Sequence, residues 1–517
     1  MKVLEKIKKN KYLLSVGIIF ILSVVSRLAF LSDRPLHHDE GMLSYFAWRL
    51  SHFGEYTYTP QIHSPILFYV QALLYLIFGA RDVVSKVGPA IFGILLVMIP
   101  LFFYKLLGKR TAVFISLGFL ISPIFLYYSR FLVHTTLVVV FWLLAVLFFA
   151  LFFRNKNSIY LYLSSVSLAL GFGTSETTYI FVAVALIFLL VSAIFSNLIK
   201  GLVFNIWDVC KKNYLDIIIA LLIFVLVWCL IYSVGLTNPE SLRRSMPILN
   251  DDSTGLGFWL AQHPKKLGGQ PWHYYLILAI VYETLFVFGS LAFIIKFFKQ
   301  KKMRTTFAFF VVVWAVGTLG VFSWAGEKFP WLFLPSLLPM VIATGIFLGS
   351  YWDKLKMVGK IFWVILAFWT AFVAFRLVYL LPSDTRELAV YVQTPDNFQN
   401  KIDKIIKECS DKSDKNCVLL DQKITWPLSW NFKDFSTLIA TDNYSISSTT
   451  KYLIVGSESI SNIKDIPDMS KEEVWIRDWW VPDKCRNLGC ATKFLKYYFF
   501  REIWNDKGGY NVFIFSK

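Results

Sequence analysis

The chain has 517 residues; 56% are hydrophobic, 18% aromatic and 17% charged, with a net charge of +18. Soluble domains carry about 25% charged residues, so a wholly water-soluble protein is excluded. The Lys and Arg stand in short clusters between long apolar runs rather than along one face, which argues against nucleic acid as a partner and for basic inner loops of a membrane protein.

Crossing the hydrocarbon core takes about 20 apolar residues per helix. Runs of that kind fall near 12–31, 85–104, 111–128, 135–153, 158–173, 177–197, 215–236, 273–295, 305–323, 330–350 and 358–381, about eleven transmembrane helices. The first run is longer than a signal peptide core and lacks a small-residue cleavage site, so it is expected to remain as a helix. With a cytoplasmic N-terminus, inner loops hold Lys105, Lys109, Arg110, Arg154, Lys156, Lys299, Lys301, Lys302, Lys354 and Lys356, while Asp33, Asp39, Glu40, Glu55, Asp251 and Asp252 fall outside. That asymmetry sets the orientation. An odd number of crossings then puts the C-terminal part outside the cell membrane.

The expected fold class is an α-helical polytopic membrane protein with a small extracytoplasmic α/β domain. The transmembrane domain covers 1–382 and the α/β domain 383–517. The first outer loop, 32–84, holds two segments, Gly41 to Phe53 and Pro65 to Gly79, that read as helices in the membrane interface. The second outer loop, 237–272, is dense in Gly and Pro and reads as mobile. In the C-terminal part, Asn397 to Cys409 and Ala491 to Phe500 read as helices. Cys417–Leu420, Ser436–Ala440, Tyr452–Val455, Val474–Ile476 and Tyr510–Phe515 read as strands. Of six cysteines, Cys409 with Cys417 and Cys485 with Cys490 are the simplest disulfide pairs if this part is extracellular; free thiols are the alternative.

Chemistry concentrates in His37-His38-Asp39-Glu40-Gly41, just after the first span. Asp39 reads as a helix N-cap, where a carboxylate is stabilised by the helix dipole and suits a general base. The paired histidines give a weak metal signal. Other polar groups gather at the outer ends of spans: His63, Arg130 with His134, Glu176, Glu283, and Glu327 with Lys328. Arg243 and Arg244 lie in the second outer loop. Cations there suit a phosphate at the membrane surface, and charges beside spans tend to be functional.

Together these residues resemble the GT-C glycosyltransferases, which include protein O-mannosyltransferases, the aminoarabinose transferase of lipid A and oligosaccharyltransferase catalytic subunits. More narrowly, His38-Asp39-Glu40, His63-Ser64-Pro65, Tyr128-Ser129-Arg130-Phe131, Gly326-Glu327-Lys328-Phe329-Pro330-Trp331 and Trp426-Pro427-Leu428-Ser429-Trp430 resemble the Agl23-like, flippase activity-associated family. The resemblance implies a sugar carried on a polyprenyl phosphate within membrane lipid and an acceptor that is glycan, lipid or protein. Asp39 would be the base of an inverting transfer, with Glu40 orienting the acceptor or sharing that role. Arg130, Lys328, Arg243, Arg244, Glu176, His63, Glu327 and His38 would bind donor phosphate or substrate. His134 stands where many relatives have an acid, with Glu176 as its candidate substitute. Oligosaccharyltransferases use a divalent metal and mannosyltransferase relatives need none for chemistry; no required metal is expected here. The alternative is a flippase, transport or scaffold component of envelope glycan assembly without transferase chemistry.

Overall fold

The computed structural model describes residues 11–194, 208–209, 211–266, 268–409, 417–435, 449–463, 466, 468–483 and 489–517. The chain divides into two compact units. One comprises Met1–Ala29, Glu55–Val70 and Lys86–Val378; the other comprises Phe30–Gly54, Gln71–Ser85 and Tyr379–Lys517. The second unit therefore takes in two stretches of the first outer loop as well as the C-terminal part.

The first unit is a helical bundle. Among the described residues, seven helices are long and apolar enough to cross a membrane, or eight if the bent pair Tyr274–Tyr282 and Thr284–Lys299 is one span. They include Lys11–Leu28, His134–Asn155, Tyr214–Tyr232, Thr306–Trp324 and Met357–Leu380. The chain is thus a multi-pass membrane protein. Three further expected spans, Lys109–Ile121, Ser158–Phe172 and Thr178–Ile194, form shorter helices of 13, 15 and 17 residues. Lipid tails are as apolar as leucine, so helices in membranes associate through close packing at small residues. Helix Lys109–Ile121 meets Leu334–Tyr351 in this way: a Cβ on Gly345 would lie 2.9 Å from the Ile115 backbone nitrogen, and one on Gly118 would lie 2.7 Å from Val341. The buried charge of Arg27 is met by helix-end carbonyls, with Nη2 donating to Phe119 O at 2.8 Å.

The second outer loop is not open chain. Pro239–Arg244 and Gly255–Gln262 are helices. Asn238 caps the first by accepting from Ser241 N, which the Asn-Pro start favours.

The second unit is built on a five-stranded sheet of β1 (Val392–Gln393), β2 (Val418–Leu420), β3 (Tyr452–Gly456), β4 (Ser470–Trp479) and β5 (Gly508–Ser516), in the order β1-β4-β5-β3-β2. β2 pairs parallel with β3; the other pairings are antiparallel. Helix Asp396–Glu408 lays Phe398, Ile402 and Ile405 on Val418, Ile454 and Val512, an i, i+4, i+7 stripe against one residue from each of β2, β3 and β5. A disulfide joins Cys409 to Cys417. The expected strand Ser436–Ala440 and Cys485 of the other pair lie outside the described residues. Helix His38–Phe53 packs against Thr425–Asn431, and Trp430 Nε1 donates to Asp82 Oδ1 at 2.7 Å. The expected interfacial segments are the helices His38–Phe53 and Ile66–Phe78.

Candidate active site

The acidic pair divides its labour. His37, not Asp39, is the N-cap of helix His38–Phe53: its Nδ1 accepts the Asp39 amide at 3.1 Å. Glu40 completes a capping box by accepting the His37 amide at 2.9 Å. The expectation that Asp39 caps the helix fails because the helix begins one residue earlier, at His38, so His37 holds the cap position and its imidazole nitrogen reaches the free Asp39 amide. Glu40 is buried and also forks onto Arg34, with Nη1 at 2.6 Å from Oε2 and Nη2 at 2.8 Å from Oε1. Arg34 reaches Gln393 Oε1 at 3.3 Å, and Gln393 Nε2 donates to Pro35 O at 3.0 Å. Breaking such a buried pair from one side costs about 3–5 kcal/mol. Both Glu40 oxygens are therefore engaged in holding the start of the helix.

Asp39 is left at the surface. Its side chain is 36% exposed, with Oδ1 3.4 Å from His38 Nε2 and Oδ2 3.7 Å from His37 Nδ1. The two imidazoles lie 3.9 Å apart, ring centre to ring centre. Burial holds both below the ordinary histidine pKa. For His37 its neighbours His38, Arg34 and Arg477 push the same way; for His38 the Asp39 carboxylate pulls back. Neutral rings beside an exposed carboxylate leave its charge unneutralised by these neighbours. His37, His38 and Asp39 each offer a ligand atom within 4.8 Å of the others, so they could hold a cation. At His37 Nδ1 such an ion would compete with the Asp39 amide for the same lone pair.

A second cluster forms in the helical unit around Glu176. Its Oε1 accepts from Tyr58 Oη at 2.7 Å and Ser64 Oγ at 3.1 Å, and its Oε2 lies 3.1 Å from His63 Nδ1. Burial first, and the Glu176 charge next, push the Tyr58 pKa far up, so this hydroxyl stays a donor. The His63 ring stacks on Trp259 at 5.0 Å and meets His134 at 3.8 Å. His63 has φ 66° and ψ −174°, a region otherwise reserved for glycine that costs about 1–3 kcal/mol and tends to occur at functional sites. Gly255 is needed here, since its Cβ would come within 2.6 Å of Tyr58 Oη. His63 and Glu176 are thus brought together. Tyr58 and Trp259 were missed, and Ser64 was singled out only as part of a motif, because the contacts join residues 112 to 118 or more positions apart, where no local pattern operates.

The candidate cations are spread along the helical unit and already engaged. Arg130 Nη1 donates to Ser26 O at 3.2 Å and Arg27 O at 3.1 Å, the carbonyl end of the first span. Lys328 donates to Ala325 O, and burial, then Lys266, lower its pKa. Glu327 stands beside it in the same loop. Arg243 pairs with Glu240 and Asp251, and Arg244 with Glu240, at exposed positions where ion pairs are weak and readily exchanged for another anion. Arg34 and Gln393 were also missed; both read as ordinary polar residues until the fold sets them around Glu40.

Residues 62–232 match the family model described as Dolichyl-phosphate-mannose-protein mannosyltransferase. No curated protein sequence matches the chain significantly. Among solved structures, the chain is similar to ArnT from Cupriavidus metallidurans bound to undecaprenyl phosphate, with TM-score 0.52, 15% identity, and coverage of 77% of this chain and 70% of that one. The apo state of the same protein gives TM-score 0.53 at 16% identity, covering 78% and 70%. The archaeal oligosaccharyltransferase AglB from Archaeoglobus fulgidus, in complex with an inhibitory peptide and a dolichol-phosphate, gives TM-score 0.55 at 12% identity, covering 87% and 69%. The narrower Agl23-like likeness rests on the sequence motifs alone. The family model thus matches about a third of the chain, and the chain shares its fold with ArnT and AglB.

Proposed function

We propose that the chain moves a sugar from a polyprenyl-phosphate donor to an acceptor hydroxyl at the outer face of the cell membrane, with inversion and with Asp39 as base. The observation that carries this reading is the division within the acidic pair: Glu40 is consumed by Arg34 and the helix cap, while Asp39 stays exposed. The undecaprenyl phosphate bound by ArnT and the dolichol-phosphate bound by AglB support the donor class.

In the step proposed, the acceptor oxygen bonds to the anomeric carbon as the bond from that carbon to the phosphate oxygen breaks. The acceptor proton passes to the Asp39 carboxylate, and the phosphate departs on its lipid. Glu40 acts as a positioning residue for Asp39. Arg130, Lys328, Arg243 and Arg244 are the candidate phosphate ligands, with His63, Glu176, Glu327 and His38 as further substrate contacts. No metal is assigned to the step.

Asp39→Asn is the test. With polyprenyl-phosphate mannose as first donor and membranes as acceptor source, transfer of label should fall about 10²- to 10⁴-fold, the usual worth of a general base. The variant should melt like the parent. An Asn variant that transfers label at the parental rate would leave a flippase or scaffold role as the better reading. Full activity in chelator would support the metal-free form of the proposal.

A further inference from the structure

Glu283 is a buried acid that the proposed chemistry does not use. It lies at the break between helices Tyr274–Tyr282 and Thr284–Lys299, which bend by 107°. Its carboxylate is 0% exposed, and Oε1 accepts from Ser122 Oγ at 2.7 Å and from Ile124 N at 2.8 Å. Oε2 is buried without a hydrogen-bond partner among the described residues. Ser122 caps helix Pro123–Tyr128 by accepting the Phe125 amide, and Pro123 has no amide to satisfy. Glu283 takes the one remaining early amide, at the end of the helix that favours negative charge.

The six-residue helix runs straight into Ser129 and Arg130. Its far end is held as firmly as its start. Arg130 Nη1 bonds the carbonyls of Ser26 and Arg27, and a Cβ on Gly93 of helix Val87–Phe102 would lie 2.3 Å from the Ser129 Cβ, so the turn sits hard against that helix. The short helix is therefore a strut of about 9 Å between Glu283 and the Arg130 turn. Burying a carboxylate in a membrane helix is costly, and Ser122 alone already caps the strut. We propose that Glu283 is a positioning residue that fixes the Tyr128–Arg130 turn and through it the grip of Arg130 on the phosphate of the lipid donor. This rests on the reading that Arg130 meets that phosphate.

Binding of undecaprenyl phosphate to the full chain in nanodiscs tests it, with uncharged polyprenol as the comparison lipid. Glu283→Ala should weaken undecaprenyl phosphate binding about tenfold and leave polyprenol binding unchanged, because only phosphate recognition passes through Arg130. Glu283→Gln should restore binding to within about twofold, since its amide oxygen can accept both hydrogen bonds. An Ala variant that binds undecaprenyl phosphate normally, a loss shared equally by polyprenol, or a Gln variant as weak as Ala would each overturn the proposal. If Glu283→Ala does not fold, Ser122→Ala decides: weaker phosphate binding supports the strut and unchanged binding overturns it. Arg130→Ala separates the two levels. Unchanged binding there removes the phosphate role of Arg130; a loss there, with none at Glu283→Ala, removes only the strut.

Discussion

At the scale of single residues, the site turns on which member of a sequence cluster is spent on structure. His37 and Glu40 close the capping box, Arg34 neutralises Glu40, and Asp39 is left over. The histidines give this arrangement a pH signature. Their folded pKa values are lowered by burial, so the unfolded chain binds more protons once pH falls through about 6.5. Stability is then full above that value and declines below it, by up to about 1.4 kcal/mol per pH unit for each imidazole. Melting in detergent should drop between about pH 7.5 and 5.5. His37→Asn keeps a capping acceptor but cannot titrate, so its melting should fall less steeply over the same range. Parallel curves for parent and variant would show that His37 is not the group responsible.

At the scale of elements, helix His38–Phe53 owes its seat to a glycine. A Cβ on Gly41 would lie 2.7 Å from Pro427 Cβ and 3.1 Å from Pro427 Cα, so this approach brings backbone against backbone. Relief by a side-chain rotation is not available. Gly41→Val should cost about 1–3 kcal/mol as overpacking and displace the first turn that carries Asp39. Gly17→Val, where nothing lies within 4 Å, is the matched comparison and should melt like the parent. Equal melting temperatures for the two variants would contradict the packing. Elements also account for what sequence reading caught and missed. Asp396–Glu408 and Ile66–Phe78 were legible because apolar periodicity is local. The helices of the second outer loop were not. There the Gly and Pro that usually mark open chain instead start helices, at Pro239 and Gly255, and permit close approach to Tyr58. The two-residue strand at Val392–Gln393 was also missed, because its pairing with Asp478 and Trp479 is supplied by a strand more than eighty residues away.

At the scale of the whole molecule, two solvents divide one chain, and orientation is the property that function requires. The positive-inside rule predicts that the sheet-bearing unit lies outside the cell membrane. Cysteines introduced at exposed Glu473 and exposed Lys354 test this in intact cells with a membrane-impermeant maleimide. Glu473→Cys should react and Lys354→Cys should react only after lysis. The reverse pattern would invert the topology and remove an outward-facing transferase from consideration.

The amino-acid sequence by itself determined the membrane character, the approximate spans and the α/β nature of the C-terminal part. Each follows from hydrophobicity, period or residue type within a short window, which is information local to the chain. Tertiary structure alone decided that Glu40 belongs to Arg34 and Asp39 to solvent, that Glu176 gathers Tyr58, His63 and Ser64, and that Glu283 reaches Ser122. Whether a buried carboxylate is matched by a cation, a hydroxyl or an amide depends on groups brought from distant positions, and no window of sequence contains both partners.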